Sequence, residues 1–183
     1  QMAPSLVLVD SGDQTDMVYD FCVDTAEYTL PSKGASKKLE TDYKISTINK
    51  AGSRATGHPL VMVDTSKYKD RIAARMARKN GNGAWMVFRG IDDEYAAQVT
   101  AEHKINERQA NGKIVQKWVP KGSHKDNHYL DAEVYAMAAA DIRGARTWHL
   151  DKYEPSEAPK KSRSGSEAKE EQWIRENELE GWI

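Results

Sequence analysis

The sequence predicts an α/β fold built on parallel strands, on three observations. Two apolar runs rich in β-branched residues, SLVLVD at 5–10 and PLVMVD at 59–64, each end in Asp and pass into a segment of helical period. Strands that alternate with helices are the mark of α/β construction. The third observation is the late stretch DNHYLDAEVYAMAAADIRG, 126–144, a small-residue apolar helix that carries a carboxylate, Asp131, in its opening turn.

Taken in order, SLVLVD is a buried strand that feeds an Asp-Ser-Gly turn and leaves Asp10 at its C-terminal end. DQTDMVYDFCVDT follows, with Met17, Val18, Phe21 and Cys22 at helical spacing as the expected buried face. YTLPSKGASKK holds a short strand before a Gly/Ser/Lys loop, and DYKISTINKAGSRATGHP reads as further strand and loop. PLVMVD then runs into the basic amphipathic helix TSKYKDRIAARMARK, with Thr65 or Ser66 as the cap and Gly81 and Gly83 closing it. A strand in GAWMVF and a helix in DDEYAAQVTAEHKI come next. HKINERQANGKIVQKWV reads as a hairpin turning at Asn111-Gly112. The last helix is predicted from near His128 to about Ile142, with Gly144 ending it.

The chain divides into a core, 1–150, and a tail, 151–183. After Trp148 the composition shifts to Pro, Ser, Lys and Glu, which bury too little apolar surface to offset the entropy of ordering. The end, QWIRENELEGWI, regains apolar residues and reads as a short docking helix. About 150 residues suffice for one sizeable core.

A net charge of −1 argues against a histone-like basic surface, so any nucleic-acid contact must come from local patches. One cysteine, Cys22, permits no internal disulfide and suits a reducing compartment. No run approaches the roughly 20 apolar residues that span a bilayer. The chain reads as soluble and cytoplasmic, without a membrane partner, and its start inside a strand looks cut from something longer.

Several chemistries are poorly served. There is no phosphate loop of the G-x-x-x-x-G-K-[ST] type, no serine nucleophile elbow, and no evident His partner for Cys22. His124 and His128 are four apart in HKDNH, but no second ligand cluster supports zinc. What remains are three carboxylates in positions where ligands gather in open α/β sheets: Asp10 and Asp64 at strand ends, and Asp131 at a helix start. Aspartates with water suit Mg²⁺ or Mn²⁺, which can activate water for phosphodiester cleavage. Each also has a plainer reading: Asp10 as a turn acid, Asp64 as a helix cap, Asp131 as an acid at the positive helix end.

Basic residues gather in SKGASKK, in KYKDRIAARMARK and in KWVPKGSHK. Lysines beside such acids are what a backbone-reading nuclease needs, because phosphate contacts give sequence-independent affinity. The residues assigned to DNA are Lys33, Lys37, Lys38, Lys67, Lys69, Lys121 and Lys125.

Together, VDSGDQTDMVYDFC, VMVDTSKYKDRI, DDEYAAQVTAEHKI and KWVPKGSHKDNHYLDAEVYAMAA resemble, in order, the C-terminal nuclease domain of the large subunit of lambda-type tailed-phage terminases. The resemblance covers most of residues 5 to 142. It implies an RNase H-like fold whose acids bind two divalent ions, Mg²⁺ or Mn²⁺, and cut concatemeric viral DNA during packaging. Asp10 falls on the family's second acid and Asp131 on its last, with Asp64 a secondary candidate. The family's first acid lies on an upstream strand, so the first strands of the fold are expected to be missing here. The portal protein and the terminase small subunit become expected partners, and ATP is not an expected ligand. The alternatives are a non-catalytic DNA- or portal-docking module, or another RNase H-like nuclease such as a junction resolvase or an integrase core.

Overall fold

A computed structural model describes residues 4–79, 83–123 and 126–145. The elements are β1 (Val7–Asp10), α1 (Thr15–Asp24), β2 (Thr29–Gly34), β3 (Tyr43–Thr47), β4 (Pro59–Val63), α2 (Thr65–Met76), α3 (Asp93–Val99), β5 (Glu102–Arg108), β6 (Ile114–Pro120) and α4 (His128–Ile142). The chain divides into a first unit, Gln1–Thr147, which holds all of these, and a second, Trp148–Ile183. The expected tail helix lies outside the described residues.

The fold is α/β. Four strands form one sheet in the order β1-β2-β4-β3, and β5 and β6 form a separate hairpin. The β1–β2 pair is parallel, as expected of strands joined through a helix, and β2–β4 is parallel as well, although the chain between them passes through β3 and no helix. β3 runs antiparallel to β4 at the sheet's edge, so the sheet is mixed rather than wholly parallel. Pro31 stands in a central strand, where a missing N–H is usually costly, but it lies just ahead of the Ser32–Gly34 pairing with β4.

Alternation along β4 sorts the layers. Val61 and Val63 point to a core shared with Tyr68 and Ile72 of α2 and Leu130, Val134, Tyr135 and Ala138 of α4. Leu60, on the other side, packs with Tyr19 and Val23 of α1 and with Ile48 and Ala55. Helices therefore cover both faces. In α4 the alanines keep the helix close to its neighbours: Ala138 is fully buried against the core. Gly144, at φ 70°, takes the left-handed position past the helix end, as read from the sequence.

Three local expectations are corrected. Met17 and Phe21 are exposed, at 70% and 47%; α1 buries Cys22, as expected, with Tyr19 in their place, because the face that meets the sheet is set by where α1 lands. GAWMVF forms no strand: Trp85 is held by its N–H to the Arg75 carbonyl at 3.0 Å, with no strand partner beside it. Finally, the cap of α2 is Asp64 rather than Thr65 or Ser66.

The hairpin turns where Asn111-Gly112 predicts. Gly112 alone has a positive φ there, 80°, and its N–H reaches the Gln109 carbonyl at 2.9 Å, while the Asn111 side chain accepts from Lys113 N. The hairpin's base is tied to α2, since Asp70 accepts from Trp118 Nε1 at 2.9 Å and from Lys104 Nζ at 2.7 Å. Among the described residues, no helix is long and apolar enough to cross a membrane.

Candidate active site

Asp10 ends β1 opposite Ser32 of β2 and is exposed, because the chain leaves the sheet at that point. Ser11 fixes the departure: its N–H and its hydroxyl both donate to the Ser32 carbonyl, at 2.8 and 2.9 Å. Asp10 Oδ1 accepts the Gly12 N–H at 3.0 Å, the geometry of a turn acid. A Cβ at residue 12 would come within 3.3 Å of that same oxygen, so glycine is what leaves the carboxylate room. Gln14, at φ 46°, is the one described non-glycine residue in the left-handed region, and it lies in this same loop.

Asp131 lies in the first turn of α4. The fold brings it to Asp10: both line one groove that runs between β1 and α4, together with His128 and Tyr135. Tyr135 is four residues beyond Asp131, hence one turn along the same helix face. Burial pushes its phenol well above the usual range. The charge of Asp10, a hydrogen bond to Asp10 and the charge of Asp131 act in the same direction, against a smaller opposing hydrogen bond from Gly34. One neutral hydroxyl thus stands within electrostatic reach of both acids.

Behind Asp131 is a partly buried ring of polar side chains. Lys69 Nζ, on α2, lies 3.1 Å from Asp131 Oδ1 and 2.8 and 2.9 Å from the two oxygens of Glu102 on β5. Asn127 Nδ2 donates to Glu102 Oε1 at 2.7 Å and to Asp131 Oδ2 at 3.1 Å. Both oxygens of Asp131 are therefore oriented by fixed donors. Glu102 and Asn127 escaped the sequence reading: Glu102 opens β5 rather than closing a strand, and Asn127 immediately precedes α4. Tyr135 carried a usable signal in its four-residue offset.

Asp64 goes elsewhere. It is 4% exposed, its Oδ2 accepts from Leu39 N at 3.0 Å and its Oδ1 from Lys67 N at 3.3 Å. It is the cap of α2, the plainer of its two readings, and the described groove does not include it.

The lysines also separate. Lys67 Nζ donates to the carbonyls of Leu39, Glu40 and Thr41, at 2.9, 2.9 and 3.0 Å, and so closes the loop after β2. Lys69 is only 8% exposed and is held in the ring. Lys69 is thus an internal anchor, whereas Lys67 is partly exposed and engaged on the loop's carbonyls. Lys33 stands over the Tyr19 ring at 5.8 Å. Lys37 and Lys38 are exposed on the loop that leaves β2 at the same sheet end as Asp10, and Lys121 is exposed at the end of the hairpin. Lys125, like His124, lies outside the described residues.

No curated protein and no solved structure matches the chain. The family model of the terminase large subunit gpA endonuclease domain matches residues 1–151, a span that contains every element and every side chain described above. The chain therefore belongs to the terminase large subunit gpA endonuclease-domain family, and its groove with Asp10 and Asp131 lies inside the matched nuclease domain.

Proposed function

We propose that this domain is a divalent-metal-dependent DNA endonuclease of RNase H-like type that cuts concatemeric viral DNA during genome packaging. The observation that carries the reading is the convergence of Asp10 and Asp131, 121 positions apart by their numbers, on one groove of a nuclease-family domain. Two hard carboxylate donors suit Mg²⁺ or Mn²⁺, which keep several waters and take further oxygens from substrate phosphates. When bound, such an ion supplies Lewis-acid charge and a more acidic water for phosphodiester hydrolysis. Asp10 and Asp131 would hold it, the Lys69–Asn127 ring would orient Asp131, and neutral Tyr135 would offer a hydrogen bond between the acids.

Among the described residues no three His, Cys, Asp or Glu side chains come together as a metal cluster, so these two acids suit a first ion. The second ion implied by the terminase resemblance needs another carboxylate. The outer edge of β1 has no partner among the described strands and borders the groove, so a strand paired there would bring one to the site.

Double-stranded DNA is the proposed substrate. Lys37 and Lys38 at the sheet end and Lys121 at the hairpin's end are exposed for phosphate contact, and Lys33 lies beside them in β2. The hairpin adds Arg108 and Lys113, beside a turn that the sequence reading treated only as structure, and Lys117 of the basic run KWVPKGSHK; all three are exposed. The portal protein and the terminase small subunit are the proposed protein partners, with the host cytoplasm as the place of action.

The shortage of a third acid among the described residues favours one second reading, a domain that binds DNA or a portal without cutting. Plasmid nicking with Mg²⁺ or Mn²⁺, run on this chain and on Asp131→Asn, separates the two. The nuclease reading expects cation-dependent nicking that falls at least about 100-fold in the variant, with melting unchanged, a loss of the size seen when one transition-state contact is removed. Salt-sensitive DNA binding with no nicking in either protein would support the docking module.

A further inference from the structure

We infer that Glu102 is a positioning residue that governs cation binding at Asp131 by holding the Lys69 ammonium. This rests on the reading of Asp131 as a cation ligand. The ammonium is shared unequally: it meets both oxygens of Glu102, at 2.8 and 2.9 Å, and one oxygen of Asp131, at 3.1 Å. The side chains of Lys69 and Glu102 are 10% and 7% exposed, whereas that of Asp131 is 40% exposed. The buried end of the ring is thus the lysine–glutamate pair, and the accessible end is the aspartate that borders the groove.

A divalent ion arriving at Asp131 repels the ammonium. Charges of like sign a few ångströms apart are costly where water is scarce, so the ammonium must be held elsewhere or the ion does not bind. Glu102 holds it. The ammonium can give up Asp131 while keeping two charged contacts, and Asn127 still bridges to both carboxylates. Take away the charge of Glu102 and the arrangement inverts: Asp131 becomes the ring's only carboxylate, and ammonium and metal compete for it.

This gives a pattern of signs that simple structural damage does not. Glu102→Gln preserves shape and the Asn127 contact, and Mn²⁺ affinity should fall roughly tenfold, the scale of one partly screened charge interaction. Adding Lys69→Met in the same chain removes the competitor, so the double variant should recover to within about threefold of the parent, or bind more tightly. If both residues served only to support the fold, the double variant would be weaker than the single one.

The experiment is Mn²⁺ titration by calorimetry on the whole chain, on Glu102→Gln, on Glu102→Gln with Lys69→Met, and on Asp131→Asn, with melting points taken beside it. Weaker binding in the single variant and recovery in the double support the inference. Unchanged affinity in Glu102→Gln, or no recovery in the double, overturns it while leaving Asp131 as a ligand. Equal binding by the parent and Asp131→Asn overturns the metal-site reading, and this inference with it. A measurement on the parent alone guards against misfolded variants: the Lys69 ammonium signal in ¹H–¹⁵N spectra should shift on adding Mg²⁺ yet stay protected from solvent exchange. Its loss to exchange would mean that Glu102 does not retain it.

Discussion

Three aspartates occupy similar places at the ends of strands and the start of a helix, and their neighbours give them different work. Asp64 accepts two backbone N–H groups in a buried cap, so Asp64→Ala leaves Leu39 N and Lys67 N without that acceptor. A loss of about 2 kcal/mol in urea unfolding is expected, with Mn²⁺ affinity unchanged. Weakened Mn²⁺ binding with full stability would return Asp64 to the metal site. Cys22 makes a second case. Burial raises its thiol above the usual value, outweighing a hydrogen bond from Thr29, so the reactive thiolate is scarce. Alkylation at pH 8 should be slow in the native domain and fast in urea. Equal rates would show that α1 does not cover it.

At the scale of elements, the hairpin and α4 show how local signals become a site. The hairpin's register places Arg108 opposite Ile114 and Ile105 opposite Lys117, so basic side chains occur on both of its faces. Lys104 is already paired with Asp70, which leaves Arg108, Lys113 and Lys117 for phosphate. Replacing Lys113 and Lys117 by Glu should lower DNA affinity for all sequences alike. The slope of log K against log salt should also shrink by about 2, roughly one per lysine. An unchanged slope would remove the hairpin from the DNA face. In α4, Ala138 meets the core at zero exposure, so Ala138→Leu should cost about 1–3 kcal/mol by overpacking, read from the urea midpoint.

Across the whole domain, three phenols tie α4 to its surroundings and set a common pH response. Tyr68 donates to Asp141 at 2.9 Å, Tyr95 donates to Glu133 at 2.5 Å, and Tyr135 faces Asp10. Burial comes first in raising all three, and the carboxylate partners add to it; Tyr95 is pushed up to about 12. For an acid raised in the folded state, the stabilisation is fully present below the unfolded value, near 10. It is then lost as pH rises through the folded value. Chemical stability should therefore fall between about pH 10 and 12, and Tyr68→Phe should flatten the fall. A urea midpoint that holds level or rises over that window would contradict these contacts.

The sequence by itself determined the strand–helix units, the last helix with its Gly144 stop, the hairpin turn and the family. All of these rest on short-range periodicity, turn chemistry or the order of motifs along the chain. It left β2 faint, because Pro31 interrupts the run that marks a strand, and it misplaced the buried face of α1 and the strand in GAWMVF. Only the tertiary structure decided which aspartate opens on a groove and which one caps a helix. It also buried Lys69, engaged Lys67 on the carbonyls of the loop after β2, and brought in Glu102, 33 positions from Lys69. The physical reason is that a side chain's charge is written in the sequence, whereas its partner and its exposure to water are set by which distant elements pack against it.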